Sequence, residues 1–175
     1  YNYWSLTSLI NFFKKFNVKI YKAEKVDTHG GSLRVYIKKS KDQKVENSVK
    51  KILKDEENFG IKNFKTYEKF GKKVYQIREN VKNRIKEIKK DGENLVGYGA
   101  PAKATTALNF FGIKDEIDYI IEDNDLKHNK FVPGVKIPIF SKTKKSSKKS
   151  VILVLAWNFF DEIKKNNLEI GKKFV

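Results

Sequence analysis

The apolar residues of this chain change their spacing several times, and the changes divide it. Leu9, Ile10, Phe12, Phe13 and Phe16 recur at helical intervals behind Ser5 and Thr7, either of which can cap a helix. The pattern then alternates: Val18 and Ile20 begin one strand, and Leu33, Val35 and Ile37 mark another. Between them, Asp27-Thr28-His29-Gly30-Gly31-Ser32 supplies paired glycines for a tight reversal. Helical spacing returns at Val45, Val49, Ile52 and Leu53, in a helix that should end near Gly60. A longer helix is predicted from Phe64, Tyr67, Phe70, Val74, Ile77, Val81, Ile85 and Ile88, stopping at Asp91-Gly92. Gly71 costs that helix about 1 kcal/mol relative to Ala without breaking it.

From residue 93 onward, short apolar runs alternate with helical segments. Leu95-Val96-Gly97-Tyr98-Gly99 reads as a buried strand entering a glycine turn, and 103–111 as a helix closed by Gly112. Ile117-Asp118-Tyr119-Ile120-Ile121 is a second strand, ending in Glu122-Asp123-Asn124-Asp125. Val135-Lys136-Ile137-Pro138-Ile139 is short and extended, and Pro138 suits an edge. Residues 151–156 form a third buried strand, and 159–166 a helix. The alternation predicts an α/β fold with a Rossmann-like parallel sheet and flanking helices. Three segments follow: a helix and β-hairpin over 1–40, a helical connector over 41–92 and the Rossmann-like domain over 93–175. A coiled-coil arm is the other reading of the middle segment.

Composition narrows the function. A chain of 175 residues can bury a sizeable core. Its longest apolar run, 151–157, is far short of the roughly 20 residues that span a membrane, and no signal-peptide pattern opens it. No membrane partner is expected, and the protein is read as cytoplasmic. The absence of cysteine excludes a disulfide scaffold, a thiol nucleophile and Cys-ligated zinc. With only His29 and His128, no metal site is expected in this stretch. The net charge of +17 invites a nucleic-acid reading, but only Arg34, Arg78 and Arg84 among the 38 basic residues are arginine. The lysines are scattered rather than clustered, so the charge is read as a solvated surface without a nucleic-acid partner. Methionine is absent and the chain opens on Tyr1-Asn2-Tyr3-Trp4, so it is expected to be the C-terminal piece of a longer protein.

Few residues offer chemistry. Gly97-Tyr98-Gly99-Ala100-Pro101-Ala102-Lys103 stands where a Rossmann-like sheet places its phosphate loop, with Lys103 in the first helical turn. Ala102 replaces the third glycine of G-x-G-x-x-G, so a plain strand–helix turn remains open. Asp123 stands where a ribose-binding acid would follow the next strand. His29 is either a site residue or an exposed turn histidine. Trp157-Asn158 ends a strand on the side where such sheets bind ligands, though Asn158 can also cap the next helix. The lysine-rich run 142–149 is read as solubilising.

Four of these segments, in order, resemble the SAM-dependent sugar C-methyltransferases. Asp27-Thr28-His29-Gly30-Gly31-Ser32-Leu33-Arg34 is similar to their T-H-G-G-S-x-R segment. Gly97-Tyr98-Gly99-Ala100-Pro101-Ala102-Lys103 is similar to their G-Y-G-A-P-A-K. Val132-Pro133-Gly134 with Ile137-Pro138-Ile139, and Leu155-Ala156-Trp157-Asn158-Phe159, follow in the family's order. The resemblance implies three domains: a zinc-binding N-terminal domain, a SAM-binding Rossmann domain and a Rossmann-like C-terminal domain. Residues 1–40 would be the tail of the second, and 93–175 the third.

The implied substrate is a nucleotide-linked ketosugar of dTDP or UDP type, and the implied cofactor is S-adenosyl-L-methionine, bound mainly upstream. The family's Glu-His pair precedes an aromatic-Ser-Leu stretch, here Tyr3-Trp4-Ser5-Leu6, so no catalytic residue is expected within this chain. The implied substrate-binding set is His29, Ser32 and Arg34 near the sugar, Gly97, Gly99 and Lys103 near the diphosphate, and Asp123 and Asn158. Ala104 stands where members often carry glycine. Arg34 can equally be a charged strand residue. The chain alone is expected to be inactive. A non-catalytic nucleotide-binding module is the alternative from another class, and a basic nucleic-acid-binding protein a weaker one.

Overall fold

The computed structural model describes residues 3–40, 42–143 and 149–175, apart from the His29 side chain. The chain divides into two compact units, Tyr1–Lys72 and Lys73–Val175.

The first unit begins with α1 (Leu6–Phe13), for which Ser5 is the N-cap. The Ser5 hydroxyl accepts from the Ser8 amide at 3.1 Å, and the Ser8 hydroxyl accepts from the Ser5 amide at 2.9 Å. This reciprocal pair satisfies two amides that the helix cannot. Strands β1 (Lys19–Val26) and β2 (Ser32–Lys38) form an antiparallel ribbon with Glu24 opposite Arg34. A 3-10 turn over Thr28–Gly30 and Gly31, at φ 111°, reverse the chain between them. Helix α2 (Asn47–Phe59) closes on Gly60, whose φ of 77° suits a residue without a Cβ. Leu6, Ile20, Ala23, Val49 and Ile52 form a small buried core in which one face of the ribbon meets α1 and α2.

Helix α3 (Phe64–Lys90) continues past Gly71. Its apolar stripe is buried only toward the C-terminal end, at Ile85 and Ile88, while Phe64, Tyr67, Phe70 and Ile77 are exposed.

The second unit is built on five parallel strands in the order β5-β4-β3-β6-β7. They are β3 (Leu95–Tyr98), β4 (Ile120–Ile121), β5 (Ile139–Phe140), β6 (Val151–Val154) and β7 (Lys173–Phe174). Helices α4 (Ala102–Phe111) and α5 (Phe160–Asn166) follow β3 and β6. Both faces are covered, which is why the strands are near-continuous apolar runs. One layer joins Leu95, Ile120 and Val151 to Ile85, Ile88, Ala104 and Leu108 from α3 and α4. The other joins Val96, Tyr98, Ile121, Ile152 and Val154, with Phe160 and Ile163 of α5 packed against them. The Rossmann-like parallel sheet with flanking helices is thus observed.

Three elements differ from expectation. The ladder of β4 covers only Ile120–Ile121, although the Tyr119 carbonyl still accepts the Gly97 amide at 2.9 Å. The 135–139 strand shrinks to β5, because Val132 and Ile137 bond to each other in a turn where Gly134 and Lys136 have positive φ. Edge strand β7 carried no apolar alternation to announce it. Gly171 lets it approach, since a Cβ there would lie 2.2 Å from Ile152 Cγ1. No helix among the described residues is long and apolar enough to cross a membrane.

Candidate functional site

The connection after β3 runs to β4 on one side of the β3–β6 pair and the connection after β6 runs to β7 on the other, so the loops after β3 and β6 part above the sheet. Open α/β sheets bind ligands at such a point. A cleft of about 420 Å³ lies at these carboxyl ends, lined by Tyr98, Gly99, Pro101, Asp123, Lys142 and Phe159 among others.

Buried Tyr98 donates its hydroxyl to Asp123 Oδ2 at 2.7 Å. Burial, together with that carboxylate, pushes the phenol above its ordinary range, so it stays protonated. Lys142 Nζ lies 3.1 Å from the other oxygen of Asp123. Asn167, also buried, donates to the Ile163 carbonyl at 2.7 Å and turns its oxygen toward Tyr98 at 3.3 Å.

Glu122 closes the glycine turn. Its Oε2 accepts the Ala100 amide at 2.7 Å and Lys127 Nζ at 3.2 Å, and its Oε1 accepts the Asp123 and Asn124 amides at 3.1 Å each. Burial pushes this carboxyl up, but the Ala100 and Asn124 amides and Lys127 outweigh it and hold it below the ordinary carboxylate range. Lys127 also donates to the Ala100 carbonyl at 3.1 Å, and His128 Nε2 donates to the Glu122 carbonyl at 2.7 Å. An internal carboxylate therefore takes an amide that the loop would offer a phosphate.

Both glycines of the turn have reasons inside the fold. A Cβ on Gly97 would lie 2.7 Å from Ile120 Cγ1, and one on Gly99, at φ 86°, would lie 3.0 Å from the Ala156 Cβ. Strand packing demands glycine at both places. Lys103 extends past the turn and sets its ammonium 4.4 Å from the Trp157 ring centroid.

Of the expected residues in this unit, Gly99 and Asp123 line the cleft, Gly97 lies buried within β3, and Lys103 and Asn158 stand in the segments after β3 and β6 without lining it. Asn158 is exposed and makes no side-chain cap to α5. Ser32 and Arg34 belong to the hairpin of the first unit. The Ser32 hydroxyl donates to the Thr28 carbonyl at 3.0 Å, closing the turn, and Arg34 lies 3.8 Å from Glu24. The side chain of His29 lies outside the described residues.

Residues 27–175 match the family model described as the C-methyltransferase C-terminal domain. The chain belongs to this family. It is also 31% identical over 181 residues to the C-methyltransferase NovU of Streptomyces niveus, a match covering 100% of this chain and 43% of NovU. The chain thus spans less than half the length of that curated relative.

In this C-methyltransferase C-terminal domain, sequence reasoning missed Glu122, Lys127 and Asn167 and assigned Lys142 to solvent. The acidic Glu122-Asp123-Asn124-Asp125 run was the available signal. Which of its members turns back onto the glycine turn depends on the backbone after β4. The rest of the lysine-rich run at 144–148 lies outside the described residues. Among the described residues, no three His, Asp or Glu side chains cluster as a metal site. Nor do these residues fit SAM: the glycine turn after β3 is closed by Glu122 and packed against Ala156.

Proposed function

We propose that the full-length protein is a SAM-dependent C-methyltransferase acting beside a ketone of a nucleotide-linked sugar, with this chain forming the nucleotide side of the substrate site. The observation that carries the reading is the family match over residues 27–175. The four ordered segments shared with sugar C-methyltransferases and the similarity to NovU support it further. A ketone acidifies the neighbouring C–H, a positioned base removes that proton, and the enolate carbon takes the new methyl group. The base is assigned to a Glu-His pair outside this chain. SAM, held outside this chain, supplies the electrophilic methyl, and zinc belongs to the N-terminal domain.

The residues here bind and orient. Lys103, in the first turn of α4, offers a cation to the diphosphate, and Asp123 of the cleft, held by Tyr98 and Lys142, offers a fixed carboxylate to a sugar or ribose hydroxyl. Asn158 can bond the same ligand, and His29, Ser32 and Arg34 are assigned to the sugar. We place the enzyme in the cytoplasm, with neither nucleic acid nor membrane as partner.

The test incubates the full-length protein with SAM and dTDP- or UDP-ketosugars in deuterated water and follows the product by NMR. Transfer to a carbon beside the ketone, with solvent deuterium exchange at that carbon, is expected. Transfer only to oxygen or nitrogen, or no turnover and no dTDP or UDP binding, would overturn the reading.

A further inference from the structure

Trp157 opens the loop after β6 and remains 48% exposed, although it is among the largest apolar side chains of the unit. Lys103 stands in the first turn of α4, reached from the loop after β3, and these two loops flank the point where the sheet changes direction. The Lys103 ammonium sits 4.4 Å from the indole centroid. No carboxylate among the described residues forms an ion pair with it, whereas Lys127 and Lys142 of the cleft each hold one. A positive charge in the first turn of a helix is unfavourable to the helix dipole. The ring's negative face offers partial compensation. Lys103 therefore rests on a weak internal partner at a place where an anion would be a stronger one.

Resting on the nucleotide-sugar reading above, we propose that Trp157 is the stacking platform for the nucleobase and that Lys103 covers it until a diphosphate draws the ammonium away. Where it rests on the indole, the ammonium shields the ring. When a nucleoside diphosphate arrives, the phosphates bind Lys103 from the crevice side, and the uncovered indole takes the flat face of the base. Glu122 already occupies the Ala100 amide, so the diphosphate is recognised by this mobile cation rather than by the glycine turn. The two halves of the ligand are thereby coupled: a base without phosphates must compete with Lys103 for the ring.

That competition gives a sign reversal which a purely structural lysine would not produce. The test uses the 175-residue chain carrying Trp4→Phe, which leaves Trp157 as its one tryptophan. Emission of Trp157 should change on Lys103→Met without any ligand, and inorganic diphosphate should produce the same change in the parent. In titrations, Lys103→Met should weaken UDP or dTDP by roughly tenfold or more, as for loss of a charged hydrogen bond. The same variant should bind uridine or thymidine more tightly than the parent. Trp157→Ala should lose at least ~fivefold in nucleotide affinity, and Trp157→Phe should recover most of it.

Equal emission with and without Lys103 would overturn the pairing. Nucleotide binding that leaves Trp157 emission unmoved, with unchanged affinity in Trp157→Ala, would overturn the platform while the nucleotide reading stands. Emission that depends on Lys103, with no nucleotide bound at millimolar concentration, would overturn the nucleotide reading and the platform with it.

Discussion

In the first unit, Glu56 of α2 accepts the Leu6 and Thr7 amides at 2.6 and 2.8 Å and the Thr7 hydroxyl at 2.6 Å. In the second, Glu122 takes the Ala100 amide at the glycine turn. Both units thus fill a cluster of free backbone N–H groups with one of their own carboxylates, for different ends. Glu56 reaches across 50 residues to the start of an eight-residue helix that has no acidic residue in its first turn. It ties α1 to α2 where the core is only a few side chains deep and where Trp4, Phe12 and Phe16 stay exposed. Glu122 acts within a unit that already has an apolar layer on each sheet face, and it ties the turn after β3 to the loop after β4. It closes the loop amide to outside anions, and the cations that line the cleft beside it are Lys127 and Lys142. The same kind of bond joins two helices in one unit and two loops at the strand ends in the other.

The comparison is broken first at the cores. Ile120→Ala removes a fully buried side chain between β3 and β5, and should cost about 3–5 kcal/mol, read by denaturant titration and by loss of amide protection in β3 and β6. A cost below about 2 kcal/mol would mean that the layer can collapse around the cavity. Next, Glu122→Gln should cost about 1.5–3 kcal/mol near neutral pH, the scale of charged hydrogen bonds in a carboxylate only 12% exposed. Its pH dependence has a definite sign. A carboxyl held below its unfolded value stabilises fully above the ordinary carboxylate range, and loses that contribution as pH falls through the lowered value. Acid titration of stability should therefore be flatter in Glu122→Gln than in the parent, and identical acid limbs would contradict the assignment.

Smaller effects sharpen the contrast. Tyr98→Phe removes the hydroxyl between Asp123 and Asn167 and should cost about 1–2 kcal/mol, because the buried Asn167 oxygen loses a neighbour. Ser5→Ala should cost about 1 kcal/mol through the lost cap, measured by amide exchange in α1. The smallest expected effect is at Arg34, whose partner Glu24 is on the exposed face of the hairpin. Arg34→Ala should leave the melting temperature unchanged, so any loss of nucleotide-sugar affinity in that variant would report binding alone.

Much of this was legible along the chain, because the signals were local. Ser5 and Thr7 ahead of Leu9 and Ile10 offered a cap, the alternation at Val18 and Ile20 and again at Leu33, Val35 and Ile37 wrote a hairpin around Gly30-Gly31, and short apolar runs wrote buried strands. The glycine turn after β3, Lys103 and Asp123 were visible for the same reason: each is placed by one strand end. Tertiary structure alone decided what those residues face. Glu56 lies 50 residues from the helix it caps, Asn167 lies 69 residues from Tyr98, and Trp157 meets Lys103 only because β6 settles beside β3. Gly97 and Gly99 looked like room for a phosphate, yet in three dimensions that room is filled by Ile120 and Ala156. Strand order is the physical reason. Hydrophobic periodicity says which face of a strand is buried, but not which strand will be its neighbour, and at the end of a parallel sheet the neighbours make the site.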